Sequence, residues 1–317
     1  MTPSNLHVII GAGPLGLSLA EQLLAQDRRV RLVSRRGRPL SGSLSAAEVR
    51  AADVTSFDQV RAACEGAGVI YHCAVPRYTD WVEQCVPLMA GILEGAAASG
   101  AKLVYGDNLY AYGPVTGPIH EGLPAAATDR KGMARARVAD MLLSSHRAGR
   151  VRGTIGRASD FYGPGVSTST MGDRVFRALL AGRPADLVGN PDQPHTYTYI
   201  EDFARALIVL GDRDDALGGI WHVPNAPTLT ARHFIAKVGA QLGSAPEIRV
   251  APGWLIRAMG AFAPMVREVA EMLYSSERPY IVDHGKFERA FCDIATSHDE
   301  AIRKTLDWCR AQPEMQP

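Results

Sequence analysis

Apolar and polar positions follow two alternating rhythms along the first half of the chain. Leu6–Ile10 is a short apolar run closed by Gly11, the mark of a buried strand. From 14 to 25, Leu15, Leu19, Leu23 and Leu24 recur at helical spacing, and Pro14 suits a first helical turn, where no amide hydrogen bond is lost. A second strand follows at 30–33, so strand, helix and strand fit within the first 34 residues, as a parallel βαβ unit requires. The alternation continues with strands at 69–72, 103–105 and 152–155 and helices at 81–98 and 131–147. Pro87 is expected to kink or interrupt the helix at 81–98. Strands separated by helices predict an α/β protein with a doubly wound parallel sheet.

After about residue 160 the texture changes. Gly163-Pro164-Gly165 and Gly189-Asn190-Pro191 break the chain, and helices are expected near 171–182, 201–211, 230–242, 254–274 and 298–311. The expected organisation is a dinucleotide-binding domain over 1–160 and a smaller C-terminal substrate lobe over 161–317. A strand near 219–223 is placed to return to the main sheet. Charge is balanced, with 34 Lys plus Arg against 33 Asp plus Glu, which argues against a general nucleic-acid binder. The five cysteines show neither CxxC nor zinc spacing, and no His/Asp/Glu cluster has metal-ligand spacing, so no metal is expected. No apolar run reaches the roughly 18 residues a membrane span needs, and Met1–His7 has no signal-peptide core. A cytoplasmic protein with reduced thiols, no membrane association and a small-molecule substrate is the resulting expectation.

Gly11-Ala12-Gly13-Pro14-Leu15-Gly16 is a Gly-x-Gly-x-x-Gly run. Alone it says little, but here it follows a strand and opens a helix, the Rossmann context that gives it meaning. Gly11 permits the tight turn, Gly13 lets a pyrophosphate approach the backbone, and Gly16 lets helix and strand pack closely. The anion would lie on free amides at the positive end of the helix. At the end of the second strand an NAD site usually presents an acidic residue to the ribose 2′-hydroxyl. This chain presents Ser34-Arg35-Arg36 instead, which suits a 2′-phosphate by charge and fork geometry. NADP(H) is the expected cofactor, with NAD as the alternative; a solvated basic turn is the competing reading.

Several further stretches resemble the extended and atypical short-chain dehydrogenase/reductase family, which includes the NAD-dependent epimerase/dehydratases. They are Ala52-Asp53-Val54, the run Val69 to Ala74, Gly91 to Ala96, Gly156 to Pro164, and Tyr197 to Ala204. The resemblance implies that Asp53 and Val54 meet the adenine and that Cys73, Ala74 and Val75 line the cofactor at the end of the fourth strand. It also implies that Asp107 at the end of the fifth strand lines the cofactor, and that Ala158 and Ser159 lie in the stretch passing the nicotinamide. Tyr78 and Trp81, Tyr162, and His195 with Tyr197 become candidates for the substrate side. Packing competes for each aromatic residue, and a lone His is more often structural. The family also implies a homodimer through the helices at 81–98 and 131–147.

The departures from the family bear on chemistry. Gly106 to Gly113 carries Asn108 where the family has a catalytic Ser or Thr. The family's Tyr-x-x-x-Lys is missing: one register puts Gly132 and Ala136 at those positions, the other Lys131 and Arg135. No tyrosine occurs between Tyr112 and Tyr162. Proton transfer needs a titratable group within hydrogen-bond reach. Lys131 is the first candidate; atypical reductases resembling isoflavone reductase use a lysine in this region. Tyr110 is the second, with Asn108 orienting a carbonyl. A solvated lysine opening a helix is the competing reading. Three functions stay open: an NADP(H)-dependent oxidoreductase acting on a small organic substrate, an epimerase or dehydratase of sugar nucleotides, and a non-catalytic NADP(H) sensor.

Overall fold

The computed structural model describes residues 4–261 and 263–312; the side chains of Tyr78, Pro264 and Met265 lie outside that description. Six strands, β1 (Leu6–Ile10), β2 (Arg29–Ser34), β3 (Glu48–Ala51), β4 (Val69–His72), β5 (Lys102–Asn108) and β6 (Arg152–Ala158), join the strand Ile220–His222 in one seven-stranded sheet. Its order is Ile220–His222, β6, β5, β4, β1, β2, β3, and every pairing is parallel. The chain runs outward from β1 to β3 on one side, then crosses to β4 on the other. The switch point of the sheet therefore lies between β1 and β4, the place where ligands bind in open α/β sheets.

Helices α1 (Pro14–Leu24), α2 (Phe57–Cys64), α3 (Trp81–Ser99) and α4 (Arg130–Arg147) make the crossovers between strands. Residues Met89, Ile92 and Leu93 of α3 and Val138 and Leu142 of α4 bury against Ile70, Leu103 and Ile155 of the sheet. Burying each such side chain contributes roughly 1.5–3 kcal/mol.

The chain divides into two compact units. One takes the chain up to Gly113, then Pro124–Ala158 and Phe203–Val223; it holds the whole seven-stranded sheet. The other takes Pro114–Leu123, Ser159–Asp202 and the chain from Pro224 onward. Its pieces are short: Asp160–Tyr162 pairs with Tyr197–Tyr199, Ala185–Val188 with Ile248–Ala251, and Pro194–His195 with Leu229–Thr230. Its core gathers Tyr162, Phe176, Tyr197 and Phe234. Among the described residues no helix is long and apolar enough to cross a membrane, and no group of three or more His, Cys, Asp or Glu is placed to hold a metal ion.

The elements depart from the sequence pattern in three places. Pro87 does not interrupt α3, which runs unbroken from Trp81 to Ser99. Pro87 and Glu83 are both exposed, so the carbonyl that loses its amide partner faces water. The expected helix at 254–274 is divided into Gly253–Gly260, Pro264–Glu271 and Tyr274–Glu277, with Pro264 opening the second. Strand β3 was silent in the apolar pattern because it is an edge strand whose residues Glu48 and Ala51 are exposed.

Candidate functional site

The turn between β1 and α1 is shaped by what its glycines exclude. Gly11 has φ 115°, and a Cβ there would lie 2.6 Å from the Ala74 amide at the end of β4. A Cβ on Gly16 would collide with the Gly11 carbonyl, so α1 can approach β1 only with glycine there. Gly13 is different: a Cβ would meet nothing within 4 Å, and no side chain caps the helix it begins. The first amides of α1 thus face open space at the switch point, with Pro14 at the first turn and Leu15 buried beneath. This is the cradle a pyrophosphate requires, and the residues present fit a dinucleotide.

At the end of β2, Ser34 accepts the Gly37 amide at 3.2 Å, closing a turn with Gly37 at φ 53°. Arg35, Arg36 and Arg38 stand exposed around that turn. Arg36 and Arg38 have no carboxylate partner among the described residues, and Arg35 feels only the charge of Asp53. Asp53 is itself occupied by Thr55, whose hydroxyl and amide donate to it at 2.7 and 3.0 Å. Those hydrogen bonds, with Arg35 adding to them, hold its carboxyl below the usual carboxylate range. Val54 is buried, and its carbonyl lies where a side chain on Gly91 would be. Cys73 is buried, Ala74 half-buried and Val75 exposed beside the glycine turn; burial pushes the Cys73 thiol up to about 12.

The ends of β5 and β6 carry a buried polar cluster. Asp107 lies opposite Arg157 in register, and Arg157 Nε donates to its carboxylate at 3.0 Å. Arg135, from α4, approaches the same carboxylate at 3.5 Å, donates to the Tyr105 hydroxyl, and lies 4.2 Å over the Trp81 ring. Burial opposes the Arg135 charge, but Tyr105 and Asp107 outweigh it and raise its pKa. Arg157 lies 4.7 Å over Tyr112, whose hydroxyl is 2.9 Å from His222 Nε2. His72 stacks on Tyr105 at 4.7 Å, and burial, then Arg135, pushes its pKa down to about 3. Asp107 is therefore hydrogen-bonded through Oδ2 to Arg157, while its buried Oδ1 has only the Arg135 charge at 3.5 Å and no hydrogen-bond partner among the described residues.

The first turn of α4 carries Lys131 and Gly132, the two positions onto which the family's tyrosine aligns in one register or the other. Asp129 caps the helix by accepting the Gly132 amide at 2.7 Å. A Cβ on Gly132 would lie 2.6 Å from the Tyr110 carbonyl and 2.9 Å from Asp129 Oδ2, besides colliding with Ala127. Position 132 is closed to any side chain. Gly132→Ala is expected to destabilise the protein by about 1–3 kcal/mol through overpacking, although helix propensity alone would favour Ala by about 1 kcal/mol. A denaturation midpoint at or above the wild-type value would show that the helix can move away from Tyr110. Lys131 is wholly buried, one turn ahead of Arg135. Tyr110 is half-buried and tilts against Trp81 at 6.0 Å between ring centres; Asn108 Oδ1 accepts its backbone amide.

Other candidates on the substrate side are committed elsewhere. Trp81 donates to the Pro76 carbonyl at 3.0 Å and backs Arg135, so it is packed and not an open wall. The Tyr78 side chain lies outside the described residues. Within the second unit Tyr162 is buried edge-on against Phe234 with its hydroxyl 3.3 Å from His298. His195 is stacked between Tyr197 and Tyr280, with Asp160 at 3.2 Å and the Ser275 carbonyl at 3.1 Å. Ser159 donates to the Thr196 carbonyl at 2.6 Å, and Ala158 is buried at the end of β6. Sequence reasoning passed over Arg157, His72 and His222. For Arg157 the available signal was a charged residue near the inner end of the strand 152–158, after Gly153-Thr154-Ile155-Gly156, where burial requires a partner.

The model of the NAD dependent epimerase/dehydratase family matches residues 7–223. A dTDP-6-deoxy-L-talose 4-dehydrogenase (NAD(P)(+)) of Kitasatospora kifunensis is 24% identical over 271 residues, 79% of this chain and 83% of that protein. A trifunctional UDP-glucose 4,6-dehydratase/UDP-4-keto-6-deoxy-D-glucose 3,5-epimerase/UDP-4-keto-L-rhamnose-reductase of Arabidopsis thaliana is 23% identical over 161 residues, half of this chain; the match spans about a fifth (21%) of that relative's length. Among solved structures, a dTDP-glucose 4,6-dehydratase of Streptomyces venezuelae with NAD bound superposes with a TM-score of 0.78 at 19% identity, covering 96% of this chain and 97% of that one. A UDP-glucuronic acid 4-epimerase of Bacillus cereus in complex with NAD gives 0.77 at 15% identity, covering 96% and 98%. At these identities the structures establish the Rossmann-like fold.

Proposed function

Since the chain belongs to the NAD dependent epimerase/dehydratase family, we propose that it is an NADP(H)-dependent oxidoreductase acting on a carbonyl or alcohol of a sugar nucleotide or similar small substrate, without a tyrosine acid. The observation that carries this reading is the dinucleotide turn: open at Gly13, uncapped at α1, and followed at Ser34 by Arg35, Arg36 and Arg38 where an acidic ribose ligand would favour NAD. A 2′-phosphate preference suits a cofactor that is exchanged at each turnover, which separates an oxidoreductase from an epimerase holding its cofactor tightly. The bound cofactor would supply or accept hydride. In this reading Asn108 positions the substrate oxygen and Lys131 supplies the proton, with Tyr110 as the second donor.

Two measurements test the reading. NADPH should bind more tightly than NADH, and Arg35→Ala with Arg36→Ala should weaken NADPH by about tenfold or more per arginine while leaving NADH nearly unchanged. Equal affinities for the two cofactors would remove the 2′-phosphate assignment. Nicotinamide absorbance should then be followed with NADPH and UDP-4-keto-6-deoxy-D-glucose, with NADP⁺ and dTDP-6-deoxy-L-talose, and with simple ketones and aldehydes. A second reading, a dinucleotide sensor, is favoured by one observation: Gly132 is sealed and both Lys131 and Arg135 are buried. Tight NADP(H) binding without turnover on any of these substrates would favour the sensor.

A further inference from the structure

Helix Gly253–Gly260, in the second unit, reverses the usual arrangement of a surface helix, which buries an apolar stripe and shows polar residues to water. Its inward edge is glycine. Gly253 and Gly260 are buried and lie about two turns apart on one side. A Cβ on Gly253 would collide with the Glu277 carboxylate, and one on Gly260 would lie 3.0 Å from Arg267 Cα. The outward face is apolar. Trp254, Leu255, Ala258 and Met259 share the side opposite the glycines, and all four are exposed. Trp254 is 68% exposed and Met259 47%, although Trp is highly buried on average. Val250, just before the helix, and Val269, on Pro264–Glu271, are exposed as well.

The charge around this face has one sign. From 248 to 270 the exposed charged residues are Arg249, Arg257 and Arg267, and the acid in that stretch, Glu268, is buried. Arg257 pairs with Glu277 at 2.6 Å, while Arg249 and Arg267 pair with no carboxylate among the described residues. A second copy of the chain suits this face badly. In a two-fold pair the patch would meet itself, arginines against arginines with no exposed acid between them. An anionic bilayer suits both features: the indole and the leucine and methionine side chains enter the headgroup region, and the arginines meet anionic headgroups. We propose that this face of the second unit rests on an anionic membrane surface. The expectation of no membrane association was drawn from the lack of a spanning run, and an interfacial contact needs none.

The test is flotation of the full chain with vesicles of phosphatidylcholine alone and of phosphatidylcholine mixed with phosphatidylserine. The protein should float with the mixed vesicles and not with the neutral ones. Its affinity should fall at least about tenfold between about 0.1 M and about 1 M salt, where the screening length shrinks from about 10 Å to about 3 Å. Trp254→Ser with Leu255→Ser should bind at least about tenfold more weakly at an unchanged thermal midpoint, because both side chains are exposed. Arg249→Gln with Arg267→Gln should bind about twentyfold more weakly, at about fivefold per arginine; this pair decides the matter if the serine variant melts early. No flotation with the mixed vesicles, equal flotation with the neutral ones, or undiminished binding by the arginine variant would each overturn the proposal. So would sedimentation of the wild type as a dimer that Trp254→Ser with Leu255→Ser dissociates, which would assign the face to a second copy.

Discussion

Asp107→Asn should lower the unfolding temperature by about 10 °C, the largest stability effect expected of any conservative change in the first unit. The side chain keeps its shape, so no cavity is made; only the charge is removed. Arg157 and Arg135 lie at 3.0 and 3.5 Å from this carboxylate, their side chains 3% and 5% exposed, and it is the carboxylate of both buried ion pairs. Neutralising it leaves two guanidinium groups buried without a counter-charge. Breaking a buried pair from one side costs about 3–5 kcal/mol, and in a chain of this size each kcal/mol moves the transition by about 2–4 °C. Arg157→Met gives the contrasting result. It leaves one cation facing one anion and should cost clearly less than Asp107→Asn, because the cluster then loses its excess positive charge. Thermal unfolding followed by circular dichroism in all three proteins checks both values. An Asp107→Asn protein within about 1 kcal/mol of the wild type would mean that water reaches the cluster and screens it.

Lys131→Met should reduce turnover by about 10²–10⁴-fold on any substrate the protein converts, the range typical for loss of a general acid or base. No tyrosine lies on α4, and position 132 is sealed by the Tyr110 carbonyl and Ala127. A proton then comes from another group near the cofactor ring, from the substrate or from water, and Lys131, in the first turn of that helix, is the candidate that Lys131→Met tests. Methionine retains the length and apolar stem of the side chain, so the comparison isolates the ammonium group. Tyr110→Phe, made in parallel, should change turnover much less, because Tyr110 already packs against Trp81. Cofactor affinity is measured in each variant. Full turnover in Lys131→Met would end the assignment, and a change confined to NADP(H) affinity would make Lys131 a cofactor ligand and not the acid.

The dinucleotide turn was legible because its determinants are contiguous. Gly11, Gly13 and Gly16 each have a local steric reason, and the strand before them and the helix after them are written in apolar spacing. The same holds for the arginines after β2, which lie on a two-residue stretch whose exposure follows from its charge. The substrate side was much less legible. Tyr162, His195 and Tyr197 have the chemistry of binding residues, yet stacking and hydrogen bonds place them in the core of the second unit. An aromatic residue with a polar tip suits both roles, and only its neighbours decide between them.

The sequence by itself determined the alternation of strands and helices, the parallel sheet they imply, the glycine cradle, and the absence of the family's tyrosine. These depend on residue type and on spacing within a few turns of chain. Only the tertiary structure decided that Asp107 faces two arginines, that position 132 has no room for a side chain, and that Trp81 backs a guanidinium group. Asp107 and Arg157 are 50 residues apart in sequence and meet only because β5 and β6 pair in one register. Arg135 reaches the same carboxylate from a helix packed on that pair of strands. Hydrogen-bond and charge partners of this kind follow from register and packing, which no short stretch of sequence encodes.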